Sequence, residues 1–147
     1  MKTHFVVTGI VKLKDEFLIL KKSADDWNYP NCWSFCSGYV KEYEAAEDSC
    51  LREIKEETGL DAKIVKTGDI IEVQDKNNRK GPKRWVIAVY LCKTNSKEVK
   101  LCHENQDFKW VKEEEFIHYK FVPGITKDLK SLGICQKPSV RDRWHEA

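Results

Sequence analysis

The stretch from Gly38 to Leu60, GYVKEYEAAEDSCLREIKEETGL, constrains this chain more than any other. Its residues from about Glu44 to Thr58 are mostly good helix formers, with neither Gly nor Pro among them, and Gly59 suits a left-handed C-terminal cap. Leu60 is then expected to fold back onto the last turn. At about 100° per residue, Ala46, Cys50, Leu51 and Ile54 share one face, and Glu53, Glu56 and Glu57 share a neighbouring one. The acids therefore line an edge of the core.

That arrangement is a poor one for a helix on its own. Glu53 and Glu57 are one turn apart, about 6 Å along the axis, and like charges at that spacing repel. Both lie in the C-terminal half, where the helix dipole disfavours negative charge by a further few tenths of a kcal/mol or more. A hard divalent cation removes both objections, since Mg²⁺ takes oxygen ligands and bridges carboxylates to substrate phosphates. Arg52 has a separate use: it can reach back two turns to Glu44 and tie the helix to the loop before it. A run of Glu and Lys can also be no more than a solvated helix face.

The spacing decides between these readings. Gly38, five residues, Glu44, seven residues, and then Arg52-Glu53-Ile54-Lys55-Glu56-Glu57-Thr58-Gly59-Leu60 resembles the signature of the Nudix hydrolases at every defined position. The resemblance implies an α+β fold: a Nudix-type α/β/α sandwich with a mixed β-sheet, in which this loop-helix-loop binds Mg²⁺ or Mn²⁺. The reaction it implies is hydrolysis of a nucleoside diphosphate linked to another group. Metal ligands would come from Glu53, Glu56 and Glu57 with the carbonyl of Gly38, and Glu44 and Arg52 would support the site. The chain departs from the family's common residues at Ser37, Lys41 and Tyr43. Tyr43 stands where glycine is common and cannot adopt positive φ as freely.

At 147 residues, with 41% hydrophobic and 34% charged, the chain reads as one soluble globular domain over 1–136 with a loosely held tail over 137–147, where Trp144 is a candidate to dock. The net charge of +2 makes no demand for a nucleic-acid polymer as partner. Without a membrane-length apolar run or a secretory signal, the expectation is a cytoplasmic protein with no membrane partner. A homodimer is left open. Six cysteines lack any C-x-x-C pair and read mostly as small buried hydrophobes, with zinc at Cys32 and Cys36, completed by His103 or another distant ligand, as the alternative.

Along the rest of the chain, His4 to Leu13 and Glu16 to Lys21 read as a strand pair, with Gly9 marking a bulge or a close backbone approach. Trp33-Ser34-Phe35 reads as a short strand whose Trp33 and Phe35 pack in the core. Ala62 to Val73 is a strand region bent at Gly68. Gln74 to Arg84 is a loop whose Arg79, Lys80, Lys83 and Arg84 are either solvated or in contact with phosphate. Trp85 to Cys92 is a central strand buried on both faces, and short helices begin near Lys112 and Thr126.

The resemblance places an acid such as Glu104 in a loop ahead of a strand ending in an aromatic residue, here Trp110. It is a further candidate for ligand or base, so the general base stays open among Glu53, Glu56 and Glu104. Trp27, Tyr29 and Trp85 are candidates to stack on a base or to be structural. The implied substrate is a small-molecule nucleotide, with a nucleoside triphosphate, noncanonical or oxidised ones included, ahead of a dinucleoside polyphosphate. A non-catalytic nucleotide-binding module is the alternative from another class, but such a module has no need of three mutually repelling glutamates. Decapping of RNA would call for a larger basic surface.

Overall fold

A computed structural model describes residues 1–134. The expected boundary at 136, the 137–147 tail and Trp144 lie outside the described residues. Seven strands and two α-helices follow one another as β1 (Lys2–Leu13), β2 (Glu16–Lys22), β3 (Trp33–Ser34), β4 (Cys36–Tyr39), α1 (Ala46–Thr58), β5 (Ala62–Asp75), β6 (Lys83–Thr94), β7 (Asn105–Lys112) and α2 (Ile125–Ser131). A 3-10 helix, Glu113–His118, leads away from β7.

The sheet is mixed. β1 runs parallel to β6 from Lys2↔Lys83 to Lys12↔Lys93, and antiparallel to β4 from Val6↔Tyr39 to Gly9↔Cys36. The expected β1–β2 pair exists only next to its turn, at Lys12↔Phe17 and Leu13↔Glu16. Beyond that, β2 leaves β1 and pairs with β7. This divergence opens the space that β4 fills, so the strand leading into the helix lies beside β1 and within the fold.

Alternation along the strands divides the core into two layers. Val7, Val11, Leu18, Leu20, Ala88 and Cys92 pack beneath α1 with Cys50 and Ile54. Ile10, Phe17, Ile19 and Val89 face the other way, against Phe116 and Leu129. Trp33 and Phe35 are buried in that second layer, as their sequence context suggests. The result is the expected sandwich of helix, sheet and helix.

Local differences from the sequence reading have local causes. α1 begins at Ala46, after Ala45 in extended geometry, so Glu44 belongs to the preceding loop. Leu51 is only partly buried and stands outside the layer beneath α1, whereas Ser49 and Thr58 are buried. The Thr58 hydroxyl donates to the Ile54 carbonyl at 2.6 Å and accepts from the Leu60 amide at 3.1 Å, which makes its burial tolerable. A Cβ on Gly9 would meet the side chains of α1 first, Cys50 Sγ at 2.8 Å and Ile54 Cδ1 at 3.0 Å, so this glycine lets α1 sit close on β1. The expected bend in β5 coincides with a register shift between Thr67 and Ile70, which brackets Gly68. The 74–84 loop is shorter than its composition suggests, because β5 runs to Asp75 and β6 starts at Lys83. Trp85 and Val86 are half-buried, and only the later part of β6 is sealed on both sides.

Candidate active site

β4 delivers the backbone and α1 delivers the carboxylates. Register Val7↔Gly38 fixes Gly38 against β1, and the first turn after it ends where α1 begins. A Cβ on Gly38 would lie 2.1 Å from the carboxyl carbon of Glu53, so only glycine allows strand and side chain to meet there. At the far end of α1, Gly59 adopts the expected left-handed cap at φ 75°, and its amide donates to the Lys55 carbonyl. Tyr43 also takes a left-handed φ, 65°, with its ring fully exposed.

Glu57 is 6% exposed. Its Oε2 accepts from the Ser37 amide at 3.2 Å. Burial raises its pKa well above the usual carboxylate range, and the charge of Glu53 raises it further; Lys22 and the Ser37 amide act in the opposite sense. Glu53 is also raised, first by burial, with Arg52 opposing. Glu104 adds to the negative field at both residues, so the loop carboxylate ahead of β7 faces the same place.

Arg52 is the hub of the polar network. Its Nε donates to Glu44 Oε2 at 2.9 Å and its Nη2 to Glu44 Oε1 at 3.0 Å. The same guanidinium donates to Glu53 at 2.9 Å, to Glu56 at 3.1 Å and to the Tyr39 carbonyl at 3.2 Å. The expected tie to Glu44 is present, and Arg52 additionally orients two of the carboxylates and the end of β4. Ser49 hydrogen-bonds Glu44 as well, and the Arg52 hydrogen bond above all holds the Glu44 carboxyl at about 2.

The remaining candidates divide. Trp85 is brought beside the strand that carries Gly38: its ring lies 6.2 Å from that of Tyr39 and 5.0 Å from that of His4. Lys83 sits over Trp85 at 5.5 Å. Arg84 is committed to Glu72 at 3.0 Å on the neighbouring strand. Arg79 is exposed in the 76–82 hairpin loop, and Glu56 is the outermost of the three helix acids. The residue that sequence reasoning missed is Lys22 at the end of β2, whose charge reaches Glu57. Its only signal was a lysine pair closing an apolar strand.

A hard divalent cation suits the donors at this site. Glu57 is a buried carboxylate that accepts from the Ser37 amide, Glu53 adds a second acid against it, and Gly38 offers backbone with no side chain to block approach. Among the described residues no three His, Cys, Asp or Glu side chains already converge as around an ion. The cation that Glu53 and Glu56 meet here is Arg52. The zinc grouping of Cys32, Cys36 and His103 is likewise not assembled. Cys36, Cys50 and Cys92 instead pack in the layer beneath α1.

A family model described as the NUDIX domain matches residues 3–129. The nucleoside triphosphatase NudI of Escherichia coli O139:H28 is 29% identical over 140 residues, covering 91% of this chain and 99% of that one. Among solved structures, the MutT protein from Methanosarcina mazei Go1 superposes with a TM-score of 0.69 at 26% identity, covering 86% of this chain and 89% of the other. A C. elegans Ap4A hydrolase binary complex gives a TM-score of 0.65 at 25% identity, covering 90% and 96%.

Proposed function

The chain belongs to the Nudix family of hydrolases, and we propose that it is a Mg²⁺-dependent nucleoside triphosphate pyrophosphohydrolase, with noncanonical or oxidised nucleotides among its substrates. Residues 1–136 would form the one catalytic domain. The observation that carries the reading is Glu57: a carboxylate sealed from solvent beside a second acid, at the C-terminal end of a helix, is a costly arrangement unless a cation completes it. Glu53, Glu56 and Glu57, with the Gly38 carbonyl, would hold Mg²⁺ or Mn²⁺. When bound, such an ion supplies charge neutralisation for the phosphate oxygens and a lowered pKa for water.

The chain's own residues do the rest. Arg52 holds Glu53 and Glu56 in place by hydrogen bonds of 2.9 and 3.1 Å, and Glu44 fixes Arg52 in turn. Lys22 neutralises phosphate charge next to Glu57. Trp85 and Lys83 offer a ring face and a cation at the start of β6 for the nucleoside end. The base that takes a proton from water is Glu53, Glu56 or Glu104, all within one negative field.

The relative named a nucleoside triphosphatase supports the leading substrate class, and the likeness to an Ap4A hydrolase supports dinucleoside polyphosphates as the second. A purely binding role is disfavoured because the buried acid would then be retained at a cost without use. No helix among the described residues is long and apolar enough to cross a membrane, which accords with small nucleotides as partners. The test is a panel of nucleotides incubated with Mg²⁺ and resolved by chromatography. A nucleoside monophosphate and pyrophosphate from triphosphates is the expected outcome; intact nucleotides throughout would refute the catalytic reading.

A further inference from the structure

The strands that carry Lys22 and Glu104 do not stay in register to their ends. Glu16 to Lys21 of β2 pair residue for residue with Lys112 to Asp107 of β7, but the next partner, that of Lys22, is Asn105. Gln106 is therefore the extra residue of a β-bulge, a device that re-aims the chain beside a site. After the bulge the Ser23 amide donates to the Glu104 carbonyl at 3.2 Å, whereas an unbroken ladder would set Glu104 opposite Ala24. The extra residue thus draws Glu104 one step back along β2, toward Lys22.

The side chain of Gln106 locks that arrangement. Its Nε2 donates to the Lys22 carbonyl at 2.7 Å and to Asn31 Oδ1 at 2.7 Å, which uses both donors of the amide. The Lys22 amide donates to the Cys32 carbonyl at 2.8 Å, so the backbone of Lys22 is held through both its polar groups. Asn31, at a left-handed φ of 62°, closes the same loop, its amide donating to the Ser23 carbonyl at 3.4 Å. Gln106 itself is exposed. Fixing an exposed glutamine costs side-chain entropy, and water would satisfy the same groups, so the clasp gains little for the fold. What it does set is the place of Lys22. Leu18 and Leu20 pack beneath α1, and Lys22, two residues on, continues their face. Its charge reaches Glu57 there.

We propose that Gln106 is a positioning residue: by clasping the Lys22 carbonyl to Asn31 across the bulge, it holds the Lys22 ammonium where the substrate's phosphates bind. The inference rests on the proposed reading of Lys22 as a phosphate contact, and it adds the residue through which the fold places that contact.

The experiment is a calorimetric titration of the whole protein, in Mg²⁺, with a methylene-bridged, non-hydrolysable nucleoside triphosphate. It compares wild type, Lys22→Met, Gln106→Met and the double variant. Gln106→Met keeps the length of the side chain and removes its donors. It should weaken binding about fivefold, the scale of one neutral hydrogen bond. Once Lys22 is Met it should have no further effect, the non-additivity expected of residues that act as a unit. Asn31→Gly, which suits the left-handed φ and removes the acceptor, should weaken binding in the same Lys22-dependent way. A Gln106→Met protein that binds as wild type does, or a loss that multiplies with that of Lys22→Met, would overturn the positioning role and leave the reading of the site intact. Equal binding by wild type and Lys22→Met would instead refute the phosphate contact, and the inference with it.

Discussion

The carboxylate of Glu53 rests against the bare Cα of Gly38, where a Cβ would come within 2.1 Å of its carboxyl carbon. Strand and helix therefore set each other's position through one side chain. Gly38→Ala should push Glu53 out of place while Arg52 still tethers it, lowering kcat by about tenfold or more, the scale that follows a displacement of roughly 1 Å at a reacting group. Far-ultraviolet circular dichroism should stay native. Wild-type kcat in a folded Gly38→Ala protein would show that the contact has no part in catalysis.

Glu57→Gln keeps the shape and the Ser37 contact but removes the charge. We expect turnover at saturating Mg²⁺ to fall by about two orders of magnitude or more, in line with loss of a group that organises charge in the transition state. A pH signature accompanies it. The folded-state pKa of Glu57 is raised, so the folded protein binds its proton more tightly than the unfolded chain, and stability declines as pH rises from about 4.3, the ordinary glutamate value, through the raised one. In chelator, wild type should show that decline and Glu57→Gln should be flatter. Added Mg²⁺ should restore wild type only, and parallel melting curves for the two proteins would reject the assignment.

Glu44 gives the opposite sign. The hydrogen bond from Arg52, followed by that from Ser49, holds its carboxyl at about 2, below the unfolded value. The stability it contributes is complete above about 4.3 and is lost as pH falls through that value toward the folded one. Melting temperatures of wild type and Glu44→Gln should differ most at neutral pH and converge toward pH 2. An acid-side slope unchanged by the substitution would mean that the pair is solvent-screened and does not hold Arg52.

Tyr43 occupies left-handed backbone at φ 65° with no ring contact to compensate, since the side chain is fully exposed. For an L residue that conformation costs about 1–2 kcal/mol. Tyr43→Gly relieves it but loosens the unfolded chain, so the net gain should be about 0.5–1 kcal/mol, or about 2–4 °C in Tm. Thermal unfolding checks this. A lower Tm would show that the backbone at this position carries no strain for glycine to relieve.

What the sequence made legible is what depends on neighbours a few positions apart. The cap at Gly59, the turn-to-turn spacing of Glu53 and Glu57 and the reach from Arg52 back to Glu44 all follow from helix geometry, and all are present. Leu51 was misplaced because a helix in a sandwich buries a stripe whose edges are set by the sheet beneath, and here the stripe turns toward Ser49 and Thr58. The parallel pairing of β1 with β6 was invisible for the same reason, since nothing local distinguishes it from the adjacent hairpin with β2. The aromatic group of His4, Tyr39 and Trp85 draws on three separate strands and has no spacing to read.

Lys22 belongs with those long-range features, and it carries the last prediction. Its ammonium lowers the pKa of Glu57, so it faces the acids from β2, and among the described residues its one ion pair is a 4.0 Å contact with Asp26. A lysine so placed is free to take a phosphate oxygen of the substrate through a charge-assisted hydrogen bond. Lys22→Met keeps the stem that packs at the strand end and deletes the charge. Losing one such bond, about 1.5–3 kcal/mol, should raise KM for a nucleoside triphosphate by about tenfold or more. If the contact serves binding alone, kcat should change far less, and removing a neighbouring cation should shift the acid limb of the pH–rate profile upward. Unchanged KM together with an unmoved profile would remove Lys22 from the site.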